Sequence, residues 1–251
     1  LDLSEESIKG KFSLSNPNYK NSDKSIYTNI QSFETDRLKD FGYKTNKTGF
    51  TLGTQFEYYD DFFLGIGINS FYESVETDST ASAQQKKLKG NYFDNFINLN
   101  FDYDKRNQKF QPSQGFRNYF STDLPIISET NTLANTFITT NYFEYSDNNI
   151  LKSSFYFRNS NSLTGDNIKL SERLYLPSNR LRGFESGKVG PKDGNDFIGG
   201  NYIASLNFSS NVPKLLENTQ TTDIIVFIDV ANVWGVDYDS SLNTSDDIKS
   251  A

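Results

Sequence analysis

The feature that most constrains this chain is a period-two alternation of apolar and polar residues, sustained beyond the needs of a globular strand. In "FINLNFDYD", Ile97, Leu99, Phe101 and Tyr103 are apolar, while Asn98, Asn100, Asp102 and Asp104 are polar. In "FTLGTQFEY", Phe50, Leu52, Phe56 and Tyr58 share a face broken only by Thr54, against Thr51, Gly53, Gln55 and Glu57. After the turn "YYDD", the residues Phe62, Leu64, Ile66, Ile68 and Tyr72 resume the pattern. "YIASLNFS" sets Tyr202, Ala204, Leu206 and Phe208 against Ser205, Asn207 and Ser209. "DIIVFIDV" sets Ile224, Val226, Ile228 and Val230 against Ile225, Phe227 and Asp229. Successive side chains of a strand point to opposite faces, so each segment predicts a strand with one apolar and one contrasting face. Less regular strands are expected near Ile8–Ser15, Ser25–Phe33, Gly115–Pro125, Thr132–Tyr145 and Leu151–Arg158. The total is about ten strands. Several exceed the average globular strand of about 5–6 residues and reach the roughly 9–11 that a tilted strand needs to cross a hydrocarbon layer.

Composition decides which class of long-stranded protein this is. Only 35% of the 251 residues are hydrophobic, while 15% are aromatic. The mean hydropathy is −0.63. No apolar run approaches the roughly 20 residues of a membrane helix, and the best segment, Ile224 to Val230, carries Asp229. Membrane barrels alternate lipid-facing and lumen-facing residues, so their average hydropathy stays low. Tight turns (Tyr59–Asp61, Ser146–Asn149) alternate with longer polar loops such as "ETDSTASAQQKKLKG" and the segment from Asn159 to Phe197. Short turns at one end and long loops at the other are the outer-membrane pattern. The expected fold is therefore all-β: an incomplete transmembrane antiparallel β-barrel, with residues 1–251 forming one partial barrel domain.

The same composition narrows function. A net charge of −7 argues against a nucleic-acid partner, which would call for a basic face. The chain has no cysteine and no histidine, which removes disulfides, thiolate metal sites and the commonest general base. No catalytic set, metal site or cofactor is expected. Asp60-Asp61 and Asp246-Asp247 are adjacent carboxylates that a strand would point apart, so turn positions are expected for them. "DYDSSLNTSDD" lacks the glycine and closing glutamate of a calcium loop. "QQKKLKG" reads as a solvated basic loop tip, with anionic headgroups as the other possibility. Tyr202 and Trp234 are candidates for interfacial aromatic girdles.

One stretch stands apart. "LRGFESGKVGP" lies in the long segment without clean alternation. Asp229, opposite an aliphatic stripe, is expected in the lumen. Arg182 offers a planar fork that can grip a carboxylate with two hydrogen bonds. Gly183 would permit a tight turn, and Phe184 would anchor the tip on lumenal aromatics. The alternative is a solvated Arg182 and an Asp229 lining a wet lumen.

"LRGFESGKVGP…FIGGN" followed by a strand resembles the signature of the BamA family of outer-membrane assembly proteins, the bacterial surface antigen family. The triplet Arg182-Gly183-Phe184, the run Gly199-Gly200-Asn201 and the segment Phe227-Ile228-Asp229-Val230-Ala231 fall in the family's order. Alanine replaces the usual last glycine of the third motif. "DKRNQKFQPSQGF" resembles the family's Asp-x-Arg…Pro-x-x-Gly turn. The resemblance implies that Arg182 lies at the tip of a loop folded into the barrel and meets Asp229. Asn207 stands where bacterial members often carry a glutamate, which implies a hydrogen-bonding neighbour in place of a second acid. It also implies a barrel of sixteen strands, of which the fourth to the thirteenth are present and the first three and last three are missing. The implied setting is the bacterial outer membrane. The implied role is insertion and folding of nascent outer-membrane proteins, in contact with membrane lipids and accessory lipoproteins, without bond chemistry. A two-partner secretion pore or a TamA-like translocation factor shares these motifs. A soluble β-sandwich binding module is the reading from another class.

Overall fold

A computed structural model describes residues 2–3, 7–146, 149–194, 196–212, 224–236 and 249–250. All of "DYDSSLNTSDD", with Asp246-Asp247 at its end, lies outside these residues. Ten long strands, between 10 and 17 residues each, form one antiparallel sheet. In chain order they are β2 (Ser7–Asn16), β3 (Lys24–Arg37), β4 (Tyr43–Tyr59), β5 (Phe62–Thr77), β6 (Gly90–Asp104), β7 (Gly115–Ser128), β8 (Thr132–Ser146), β9 (Asn149–Ser162), β12 (Tyr202–Val212) and β13 (Ile224–Trp234). Two-residue strands, β1 (Asp2–Leu3) and β14 (Lys249–Ser250), pair with the outer edges of β2 and β13. These two short strands stand beside the ten that the alternation predicts. Every long strand pairs with its sequence neighbour, except that β9 pairs directly with β12 across the segment 163–201. A small hairpin inside that segment, β10 (Lys192–Asp193) with β11 (Asp196–Phe197), forms its own sheet. Among the described residues the large sheet does not close on itself.

Alternation sets the two faces. Phe50, Leu52, Ile66, Ile68, Val226 and Ile228 lie exposed on the outer face. Asp94, Ser154, Ser205 and Asp229, on the opposite face, are buried. Water would not tolerate an apolar belt around ten strands, since soluble monomers rarely expose contiguous apolar patches beyond a few hundred Å². The belt fits contact with hydrocarbon. A β-sandwich would bury that face under a second sheet, and no such layer is present among the described residues.

The strands run longer than their cleanest sequence periods. β7 continues past Pro125 to Ser128 through a register shift opposite Asn95 and Phe96. Pro125 has no N–H to donate, and a bulge is where a sheet accommodates that. The ends are also less unequal than expected. The connection 105–114 lies at the tight-turn end, folded by a bidentate Arg106–Asp104 pair and by Asn107 Oδ1, which accepts from the backbone N–H of Ser113 and Gln114.

At the long-loop end two connections contain short helices, the second inside "ETDSTASAQQKKLKG", expected to be a polar loop. The helices are α1 (Leu38–Phe41) and α2 (Ala83–Lys87). The basic loop tip is solvated as expected at Lys86, Lys87 and Lys89, but its base is ordered, with Ser82 and Gln85 in a reciprocal capping box. The Gln85 side chain is buried and donates to the Phe41 carbonyl at 3.0 Å.

Candidate functional site

The segment 163–201 folds over the inner face of the sheet and carries its own apolar residues. Leu174, Leu176, Leu181 and Val189 pack with Tyr156, Ile203, Ala231 and Val233 on β9, β12 and β13. Leu170 packs with Phe41, Tyr43 and Val75 at the β4–β5 side. The loop thus crosses from one arc of the wall to the other. Its two limbs are clipped by the Leu174–Gly200 bridge, with backbone hydrogen bonds of 2.8 and 3.0 Å.

This path delivers Arg182 to Asp229. Arg182 Nε donates to Oδ2 at 2.7 Å and Nη2 donates to Oδ1 at 2.7 Å. The Arg182 backbone N–H donates to Oδ2 at 3.0 Å. Asn207 is directly opposite Asp229 in the β12–β13 register, and its Nδ2 donates to Oδ1 at 2.8 Å. A carboxylate offers about four lone-pair sites, and these four bonds use them. The Asp229 side chain has 0% exposure, whereas that of Arg182 keeps 34%. The guanidinium lies 3.7 Å from the centroid of the Phe227 ring, two positions back on the same inner face of β13. One carboxylate therefore fixes both the side chain and the backbone of the loop at this position.

Asn207 has a larger part than a neutral neighbour. Its Nδ2 also donates to the Arg180 carbonyl at 2.8 Å, so Asn207 and Asp229 together hold the loop on both sides of Leu181. Arg180 itself lies 4.5 Å over the Tyr156 ring and donates to Ser154 Oγ at 3.2 Å. Asn207→Asp keeps the shape but turns both donated bonds into contacts between acceptors, one with a carboxylate. We expect this variant to lose its folded, detergent-resistant form at a lower temperature than Asn207→Ala, measured by heat-dependent mobility on gels. Equal melting of the two variants would show that the amide donates nothing of consequence.

Phe184 does not anchor the tip. It remains 38% exposed, because the loop is already held by Arg182 and Leu181 and the residue after Gly183 turns away. Gly183 has φ +83° with open space around it. Gly199 has φ +66° and Gly200 abuts the Trp234 backbone. Tyr202 and Trp234 stack with ring centroids 5.7 Å apart at 17°. Asp61 occupies the β4–β5 turn with φ +63° and pairs with Lys105 at 2.8 Å.

A second polar cluster escaped the sequence reading. Lys169 has 0% side-chain exposure and contacts Asp94, Glu73 Oε2 at 3.2 Å and Glu172 Oε1 at 3.3 Å. Glu73 and Asp94 fall on the inner faces of β5 and β6, so alternation marks them as lumenal. The loop has no period, and nothing in its sequence assigns Lys169 to them. Among the described residues no group of acidic side chains has the geometry to hold a metal ion.

Residues 1–250 match the Omp85 superfamily domain. Among solved structures, the chain is similar to the crystal structure of BamA from Haemophilus ducreyi lacking POTRA domains 1–3, with a TM-score of 0.81 and 18% identity. That likeness, which at this identity is one of fold, covers 92% of this chain and 50% of the other, so the chain spans about half the length of that protein. No curated protein matches the chain. With the match running over nearly its whole length and the sheet following the same fold, the chain belongs to the Omp85 superfamily.

Proposed function

We propose that this domain is the central barrel wall of an outer-membrane assembly factor that inserts and folds other β-barrel proteins. The observation that carries the reading is the inward loop gripped at Arg182 by Asp229. It sits in a superfamily barrel with an apolar outer belt. The domain acts by binding and positioning, without bond chemistry or a cofactor. Its clients are unfolded outer-membrane proteins, whose strands extend a sheet by backbone pairing at an edge. Lipids surround the belt, and accessory lipoproteins complete the assembly.

Reconstitution of the full-length parent protein into liposomes tests this. Unfolded outer-membrane barrels added outside the liposomes should become detergent-resistant faster than with empty liposomes. The Arg182→Ala variant should lose most of that acceleration. If the parent instead carries a soluble polypeptide across the bilayer and leaves barrel folding at the spontaneous rate, the secretion-pore reading replaces this one.

A further inference from the structure

The cluster around Lys169 lies on a different arc of the wall from Asp229. Its carboxylates come from β5 (Glu73), β6 (Asp94) and the loop itself (Glu172). An ammonium has three hydrogens to donate, and here three carboxylates face it. The surrounding shell is also specific. Ser128 donates to Asp94, Thr132 Oγ1 donates to Glu172 at 2.7 Å, and Lys169 Nζ sits 5.2 Å from the Tyr92 ring centroid. Lys47 Nζ approaches Glu73 at 4.0 Å from the rim. Burial alone would lower the Lys169 pKa, but Glu172, Glu73 and Asp94 outweigh it and raise it. The group is therefore a fixed buried cation.

Such a cluster is costly to build, since desolvating charges offsets much of their attraction. Its position gives it a use. Lys169 begins the root of the loop, six residues beyond Leu163, yet it reaches past β7 and β8 to β5 and β6. The next residue, Leu170, is fully buried against Phe41, Tyr43 and Val75.

We propose that Lys169 is a second anchor of the loop 163–201, independent of Arg182, which pins its root to β5 and β6. The loop is then a strut held at both ends, joining the β5–β6 arc of the barrel to the β12–β13 arc. The contact is ionic and directional, so the root position is specified by charge placement as well as by packing. It does not depend on which client the barrel serves.

The chain contains no cysteine, which makes a single introduced thiol a clean reporter. Leu170→Cys places it at the buried root. In the full-length parent protein in outer-membrane vesicles, its labelling by a polar maleimide should be slow. Adding Lys169→Met should speed labelling at least roughly tenfold by raising the population of the opened root, while the barrel keeps its detergent-resistant mobility. Lys169→Met leaves carboxylates unpaired and can impair folding. A neutral counterpart, Lys169→Met with Glu73→Gln, Asp94→Asn and Glu172→Gln, therefore carries the decision wherever the single variant fails to give a resistant barrel. Fast labelling in the neutral counterpart supports the anchor. Slow labelling there overturns it, because packing alone would then hold the root. Independence is tested with Arg182→Ala, which should leave the reporter slow. Labelling as fast as in Lys169→Met would overturn the second anchor. The readout is thiol exposure rather than client folding, so its failure is distinct from failure of the assembly reading.

Discussion

Arg182→Ala and Asp229→Ala should each release the loop from β12 and β13, and the double variant should be no worse than the more damaged single. Removing one partner of a buried ion pair costs about 3–5 kcal/mol when both are fully buried. The Arg182 side chain is 34% exposed, so part of its charge is already solvated and the lower end applies. The two variants differ in what they leave behind. Without the guanidinium, Asp229 keeps the Arg182 backbone N–H and Asn207 Nδ2 as donors. Without the carboxylate, these donors lose their acceptor while the guanidinium can turn to water. Arg182→Lys keeps the charge but lacks the two-pronged match to a carboxylate, and should fall between wild type and alanine. The measurement is the temperature at which the detergent-resistant form is lost, read together with client folding rate. Energies that simply add across the double variant would refute coupling, because contacting groups should be non-additive.

Much of this is legible in the sequence. Alternation placed Ile66 and Ile68 on the lipid side and Asp229 on the lumen side, because the period of a strand is two and a one-residue error would invert every face. The β12–β13 register then follows from hydrophobic matching, with Leu206 opposite Val230 and Asn207 opposite Asp229. Asn207 was underestimated for an instructive reason. Compared with a glutamate it looks like a lost charge. In place it is a donor to an acid and to the Arg180 carbonyl, two bonds a carboxylate could not make.

The loop was much less legible. Arg182 stood out because a fork-shaped cation between an apolar residue and a glycine is conspicuous. Lys169 did not, in "NIKLSER", since lysines on loops are ordinarily solvated. Its burial depends on carboxylates 75 and 96 residues away in sequence, brought together only by strand pairing. The α2 capping box could have been read from Ser82 and Gln85, which stand at capping-box spacing. Short helices without apolar periodicity give no other local signal.

Gly199→Ala should be the most damaging single-methyl change in the loop, with Gly200→Ala close behind, while Gly183→Ala should be mild. Gly199 and Gly183 both have positive φ, +66° and +83°, where a Cβ costs about 1–2 kcal/mol. Their surroundings differ. A Cβ at Gly183 would meet nothing within 4 Å, whereas at Gly199 it would lie 2.7 Å from the Leu174 carbonyl oxygen. That oxygen accepts the Gly200 N–H at 3.0 Å, so relieving the clash breaks the clip between the two limbs of the loop. At Gly200 a Cβ would lie 2.4 Å from the Trp234 carbonyl oxygen, on the end of β13. Backbone on both sides cannot swing aside as a flexible side chain can, and overpacking of this kind typically costs about 1–3 kcal/mol. The strain at Gly199 adds to its conformational penalty, giving roughly twice or more the loss at Gly183. The three variants share one added methyl group, so their melting temperatures in detergent compare contact geometry directly. If Gly183→Ala melted as low as Gly199→Ala, backbone conformation alone would govern the loop and the clip at Leu174 and Gly200 would contribute nothing.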